Sequence, residues 1–273
     1  MNKKLLLAVF VVAILIIGLI GTNIIKKCAP LSGKTGNAAS LFDLLMQAKN
    51  LEVKGDLLGA KTAYNKLISE FSNSGDVMNW QKKAEDINIK LLFSSAITPN
   101  SLLYEIKPGD TLAKIAREFK TTAELIRKSN NLANDMIVPG RKIKVWNAPF
   151  NILIDKSQNI LILKSGEEII KTYIVATGKN NSTPTGNFKI VDKIPNPPWF
   201  KPGAPGPIPA GNPENILGSR WLALDLPSYG IHGTTDPQSL GKQVTQGCVR
   251  MSNADVEELY IIVPKGTEVT IVD

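Results

Sequence analysis

The chain has 273 residues, 43% of them hydrophobic and 21% charged, and 32 basic against 24 acidic side chains leave a formal charge of +8. This composition excludes a disordered chain and leaves room for several small domains. Two cysteines exclude a disulfide framework, and a lone histidine excludes a tetrahedral metal set without unmarked carboxylates. The scattered lysines read first as solvated surface; they would also suit an anionic polymer, cell wall or membrane surface, while no zinc-finger spacing or arginine-rich run argues for nucleic acid.

In chain order, the first element is the uncharged run Leu5–Ile25. At about 1.5 Å per residue it matches the roughly 30 Å hydrocarbon core of a bilayer. Residues 1–26 are therefore expected to form a short cytoplasmic tail and a single-pass signal-anchor, with the bulk of the chain outside the cytoplasm. Cys28 follows Lys26 and Lys27, which do not fit a lipoprotein cleavage site. Residues 27–39, with Pro30, Gly33 and Gly36, read as a linker.

From 40 to 94 apolar residues recur at helical spacing. Leu44, Leu45, Ala48 and Leu51 form one stripe; Ala60, Ala63, Tyr64, Leu67 and Phe71 form another, with Gly55-Asp56 between them and Ser72–Gly75 after them. The run GDLLGAKTAYNKLISEF resembles the second half of a tetratricopeptide repeat. One repeat cannot bury its own faces, so a spacer hairpin is expected, and the sequence names no partner for it.

Residues 102–147 read strand, helix, helix, strand. Tyr104 and Ile106 alternate before Pro108-Gly109; Asp110 or Thr111 caps a helix facing inward with Leu112, Ile115, Ala116 and Phe119; Thr121-x-x-Glu124 forms a capping box for the next helix; Pro139-Gly140 turns into Ile143–Val145. The pattern Y-x-I-x-x-G-D-T-L-x-x-I-A, the N-x-L at 130–132 and the later P-G-x-x-I-x-V are similar to LysM domains. That resemblance implies binding of N-acetylglucosamine-containing glycan. It implies a groove between Gly109, Asp110 and Thr111 on one side and Asn134, Asp135, Met136 and Ile137 on the other.

Residues 149–273 change character. The runs FNILID, NILILKS, EIIKTYIVATG, GNFKIVDKI, RWLALDL and TEVTIVD are β-rich and separated by turn signals, which predicts a mostly antiparallel sandwich. A helix is expected over 253–262. Between them, 195–213 hold eight prolines with Trp199 and Phe200, which predicts a long loop beside the site.

The chemistry-bearing stretch is GIHGTTDPQSLGKQVTQGCVRM, residues 230–251, which holds His232 and Cys248. A thiolate is the nucleophilic form of cysteine; an imidazole can take the thiol proton and return one to a leaving amine. Gly247 frees the backbone near Cys248, so the amides there are candidate oxyanion donors. Arg250, two residues on, shares a side of an extended segment with Cys248 and can bind a substrate carbonyl or support the turn. Asp236, Asp225 and the backbone carbonyl of Gly233 are the groups at hand to orient the imidazole.

TPTGNF at 183–188, GSRWLALDL at 218–226, YGIHGT at 229–234 and TQGCVRM at 245–251 resemble the L,D-transpeptidase catalytic domain of the YkuD type over the whole segment. Thr245 stands where serine is commoner in that signature, and Gln246 occupies a variable position. The resemblance implies a β-sandwich in which Cys248 is the nucleophile and His232 the proton carrier, oriented by the Gly233 carbonyl, with no cofactor and no metal. It implies peptidoglycan stem peptides as substrate, release of terminal D-alanine, cross-links between third-position diamino acids, and acylation by carbapenems. An L,D-carboxypeptidase acting through the same thioester, or an inert wall-anchoring protein, are the other readings. The expected fold is thus multidomain: a transmembrane helix, an α-helical hairpin, a βααβ LysM domain and a mainly-β catalytic sandwich.

Overall fold

The computed structural model describes residues 34–201 and 203–273. The expected anchor, 1–26, lies outside them, and no helix among the described residues is long and apolar enough to cross a membrane.

Three helices open the described chain: α1 (Lys34–Val53), α2 (Leu57–Glu70) and α3 (Val77–Leu92). Gly55, at φ +77°, ends the first turn of chain reversal, and the Asp56 carboxylate caps α2 by accepting from the Gly59 amide at 2.9 Å. Two expectations need correcting. Helix α1 begins inside the expected 27–39 linker, and the hairpin has a third member. Val77, Trp80, Ala84, Ile87 and Leu91 form a further stripe at helical spacing and share one core with Leu44, Ala48, Ala60, Tyr64 and Leu67.

This unit does not stand off as a spacer. Asn88 on α3 donates from Nδ2 to the carbonyls of Ile169 and Ile170 at 3.0 and 3.2 Å, and buried Glu85 accepts from Thr172 Oγ1 at 2.9 Å. Burial pushes the Glu85 carboxyl up, against the bonds from Gln81 and Thr172.

Next comes the expected βααβ unit: β1 (Ser101–Glu105) antiparallel to β2 (Lys142–Trp146), with α4 (Leu112–Glu118) and α5 (Ala123–Ser129) between them. Its core is Tyr104, Ile106, Leu112, Ile115, Ile126, Ile143 and Val145. Thr111, not Asp110, caps α4, accepting from Lys114 N at 3.2 Å. The second cap is Thr122, which accepts from Leu125 N at 2.9 Å; the cap lies one residue past the expected Thr121, and with Leu125 at the third helical position the expected box with Glu124 does not form. The reason is local: Lys120 takes φ +51° to leave α4, and Thr121 is turned inward, where its Oγ1 has no partner.

The β-rich part contains β3 (Phe150–Asp155), β4 (Ile160–Ser165), β5 (Glu168–Ile174), β6 (Thr177–Gly178), β7 (Gly186–Pro195), β8 (Arg220–Leu224), β9 (Gly230–His232), β10 (Gln243–Thr245), β11 (Val249–Arg250), α6 (Asn253–Ile262) and β12 (Glu268–Val272). Eight of these strands form one sheet in the order β11-β9-β8-β7-β12-β3-β4-β5, and β10 pairs with β6 alone. The expectation of mostly antiparallel strands is modified at three places: β12–β3, β11–β9 and β10–β6 are parallel. The sheet becomes sandwich-like at β7. Its first half pairs with β12 and its second with β8, and the register shifts between Ile190 and Asp192. Such a bulge bends and twists its strand, and both halves close on one core with Val256, Leu259 and Ile262 of α6.

The βααβ unit is not hung on a tether. Leu125 of α5 and Trp146 of β2 belong to the core of the β-rich part, and Trp146 stacks on Phe150 at 5.7 Å. Lys144, 2% exposed, donates to the carbonyls of Leu91 and Ser94 at 2.7 and 2.8 Å. It ties the helical unit to the βααβ unit, and burial lowers its ammonium to about 8.

Candidate active site

Strands β9 and β11 lie side by side in parallel, with Ile231 opposite Val249 and His232 opposite Arg250. Side chains alternate along a strand, and paired residues point the same way. His232 and Arg250 therefore share a face, and Cys248 is the residue just before β11; the Arg250 charge acts on both the imidazole and the thiol.

The imidazole is held on several sides. His232 is 3% exposed, its Nδ1 lies 2.7 Å from the Gly233 carbonyl, and its ring stacks on Trp221 at 5.6 Å. A carbonyl can only accept, so Nδ1 carries the proton in the neutral ring and Nε2 has the free lone pair. Neither aspartate considered for this task reaches it: Asp225 Oδ1 accepts from Lys189 N at 2.9 Å, and Asp236 lies 3.9 Å from the Arg250 guanidinium. Burial drags the imidazole down to about 4, helped by the charge of Arg250 and opposed by the Gly233 and Leu217 carbonyls.

Cys248 is half-buried, with Sγ 3.5 Å from the Ser228 carbonyl. Burial pushes its thiol up, while the Gly230 amide and the Arg250 charge pull it down. Burial thus favours the uncharged form of both the thiol and the imidazole. Arg250 in turn donates to Ser239 Oγ at 3.0 Å, and its buried Nε has no partner among the described residues.

Gly247 is needed where it stands. It has φ +134°, and a Cβ there would lie 2.7 Å from Tyr229 Cε1 and 3.3 Å from the Ser182 carbonyl. Its amide donates to Thr245 Oγ1 at 3.2 Å, and the same hydroxyl donates to the Cys248 carbonyl at 2.6 Å. The expected oxyanion contribution of the Gly247 N–H is thus taken up by Thr245 in this state. Either hydroxyl residue at 245 can close the turn, which explains why threonine serves where serine is commoner.

Several residues around the site had no such signal in the sequence. Thr183, 1% exposed, accepts from the Gly178 amide at 2.7 Å and donates to the Gly247 carbonyl at 2.8 Å. Buried Lys156 donates to the Thr183 carbonyl at 2.8 Å. Asn215 organises the proline-rich loop, donating to the Pro197 and Ile208 carbonyls at 2.9 and 3.1 Å. In that loop Trp199 pairs with Ile208, while Phe200 is 73% exposed. The Thr183 signal lay in the quoted TPTGNF, but its partner at Gly247 is too distant in sequence to be inferred.

The expected glycan groove shows a different use of its side chains. Asp110 Oδ2 accepts from Lys107 N at 2.8 Å and Tyr104 OH at 2.9 Å; Thr111 caps α4; Asn134 Oδ1 accepts from Met136 N at 3.0 Å; Asp135 pairs with Arg127 at 3.0 Å. Gly109 takes φ +84°, Ile137 packs on the LysM core, and Met136 is 79% exposed. These polar groups shape their loops, which leaves main-chain groups and exposed apolar atoms to meet a sugar. No cluster of potential metal ligands occurs among the described residues.

The profile of the L,D-transpeptidase catalytic domain, YkuD, matches residues 149–271, and that of the LysM domain matches 104–146. The protein named L,D-transpeptidase YkuD in Bacillus licheniformis is 38% identical over 179 residues, covering 62% of this chain and 98% of that protein. Its namesake in Bacillus subtilis is 37% identical over 177 residues, covering 62% and 98%. An L,D-transpeptidase structure from Mycobacterium smegmatis aligns with TM-score 0.40 at 17% identity, covering 50% of this chain and 65% of that one.

Proposed function

The chain belongs to the YkuD family of L,D-transpeptidases, and we propose that in this member Cys248 is the nucleophile and His232 its proton carrier in peptidoglycan cross-linking. What supports the assignment is the pairing of His232 with Arg250, whose charge acts on both His232 and Cys248, with the Gly233 carbonyl 2.7 Å from Nδ1. His232 Nε2 takes the thiol proton as Sγ attacks the carbonyl of the third stem residue. Collapse of the tetrahedral adduct breaks the amide, and the imidazolium gives its proton to the departing D-alanine amine. A side-chain amine of a second stem then attacks the thioester, giving up its proton through the same imidazole, and the new amide links two third residues. Because burial favours the uncharged form of both groups, proton transfer accompanies attack rather than preceding it. With the Gly247 amide turned to Thr245, the Cys248 amide is left to the role of oxyanion donor in this reading.

Catalytic and LysM domains together make this a peptidoglycan-directed, cysteine-dependent acyltransferase. For the glycan we propose the loops 109–111 and 134–137, read through their backbone groups and Met136. The membrane anchor rests on the Leu5–Ile25 sequence, and protease accessibility of intact cells tests it. The catalytic assignment is tested with purified disaccharide-tetrapeptide. The protein should release D-alanine and form cross-linked dimers by mass, should gain a carbapenem adduct on Cys248, and should lose both in Cys248→Ala. Release of tripeptide without dimer would make it a carboxypeptidase; full turnover by Cys248→Ala would remove the assignment.

A further inference from the structure

Asn253 is the first residue of α6, and the proton-transfer scheme does not use it. Its Oδ1 accepts from two amides of separate segments, Ser219 N at 3.0 Å and Thr234 N at 3.2 Å. The approach is so close that a Cβ on either Gly218 or Gly233 would lie 2.2 Å from that oxygen. The two segments flank His232. Gly233 supplies the carbonyl that holds Nδ1, and the Leu217 carbonyl is the second backbone acceptor beside the ring. No hydrogen bond among the described residues uses Asn253 Nδ2.

We propose that Asn253 is a positioning residue for catalysis: its single oxygen staples the 217–219 and 233–234 turns together, so that their carbonyls fix the tautomer and tilt of the His232 ring. The physical reason is a short chain of dependence. The Ser219 and Thr234 amides have no strand ladder to hold them, and a backbone donor left unpaired drifts toward solvent. The Gly233 carbonyl and the Thr234 amide are the two ends of one planar peptide group, so freeing that amide frees the acceptor that keeps the proton on Nδ1. A ring free to swing presents Nε2 to the thiol only part of the time. Misplacement of a catalytic group by about 1 Å can cost on the order of a hundredfold in rate.

This inference rests on the proton-carrier reading of His232, and the test separates the two. Full-length wild type, Asn253→Ala and Asn253→Asp are compared by tetrapeptide turnover and by the NMR titration of the imidazole, which is unique because the chain has 1 histidine. Asn253→Ala should lower kcat by roughly ten- to hundredfold with little change in KM, since no substrate contact is removed. Asn253→Asp keeps an acceptor oxygen for both amides. It should restore most of kcat, and its new negative charge should move the imidazole titration and the acid limb of the pH profile upward. Wild-type kcat in Asn253→Ala, or an imidazole titration in Asn253→Asp that does not move, overturns the proposal. If Asn253→Ala fails to fold, the aspartate variant alone decides by the same titration. Failure of the underlying reading appears elsewhere, as turnover that survives His232→Ala.

Discussion

The depressed imidazole of His232 makes a prediction that one titration can check. In the folded protein burial holds the ring down to about 4, while in the unfolded chain it returns to about 6.5. Above pH 6.5 neither state binds the proton, and the favourable packing of the neutral ring is fully present. As pH falls from 6.5 toward 4 the unfolded chain takes up a proton that the folded chain refuses, so stability falls. At about 1.4 kcal/mol per pH unit, that window corresponds to roughly 3 kcal/mol. Because the ring is 3% exposed, solvent screening does little to reduce it. Other groups titrate too, notably Glu85, whose raised carboxyl acts in the opposite sense. They are common to wild type and His232→Gln, so they cancel in the difference between the two. Urea unfolding of both proteins at pH 7, 6, 5 and 4 should show the wild type losing roughly 3 kcal/mol relative to the variant. The single imidazole resonance should titrate near 4. A resonance titrating between 6 and 7, or a stability gap that stays constant across the series, would refute the buried-neutral account of the base.

Three further outcomes are expected. Gly247→Ala must seat a Cβ 2.7 Å from Tyr229 at φ +134°, so it should lose about 1–3 kcal/mol from the backbone alone and slow alkylation of Cys248, read by urea midpoint and by mass. Lys144→Met leaves the Leu91 and Ser94 carbonyls without their donor, so it should lose roughly 1–3 kcal/mol. In the wild type the LysM and catalytic parts should melt in one calorimetric transition, since they share a core; two separated transitions would contradict the docking.

What could be read from sequence was what repeats locally. Strand β3 and helix α6 fall on FNILID and NADVEELYII because alternation and helical spacing leave little freedom there. The proposed partnership of His232 and Cys248 starts from the sequence because glycines stand beside both and Arg250 follows the thiol. The α3 helix was passed over because Ser72–Gly75 looked like the end of a unit rather than a turn within one. Two adjacent threonines gave no local reason to choose Thr122 over Thr121 as the cap. Sheet order depends on β12 inserting between β3 and β7, a contact across most of the domain, and no short pattern encodes it. Thr183 and Asn253 went unread for the same reason: each meets a backbone group many residues away.

The shared core of Leu125, Trp146 and Phe150 also bears on where cross-links can form. Only three residues separate the end of β2 from the start of β3, so the glycan module cannot swing about a leash. A leash would let one foothold on the wall serve every stem within its radius. A rigid bracket works like a set square: once the sugar chain is seated, the height and bearing of Cys248 above it are fixed. Stems branch from a glycan strand at intervals and angles set by the sugar repeat. A glycan seated on such a bracket would therefore offer Cys248 only the stems within a fixed reach, whereas a leash would offer all those in its radius.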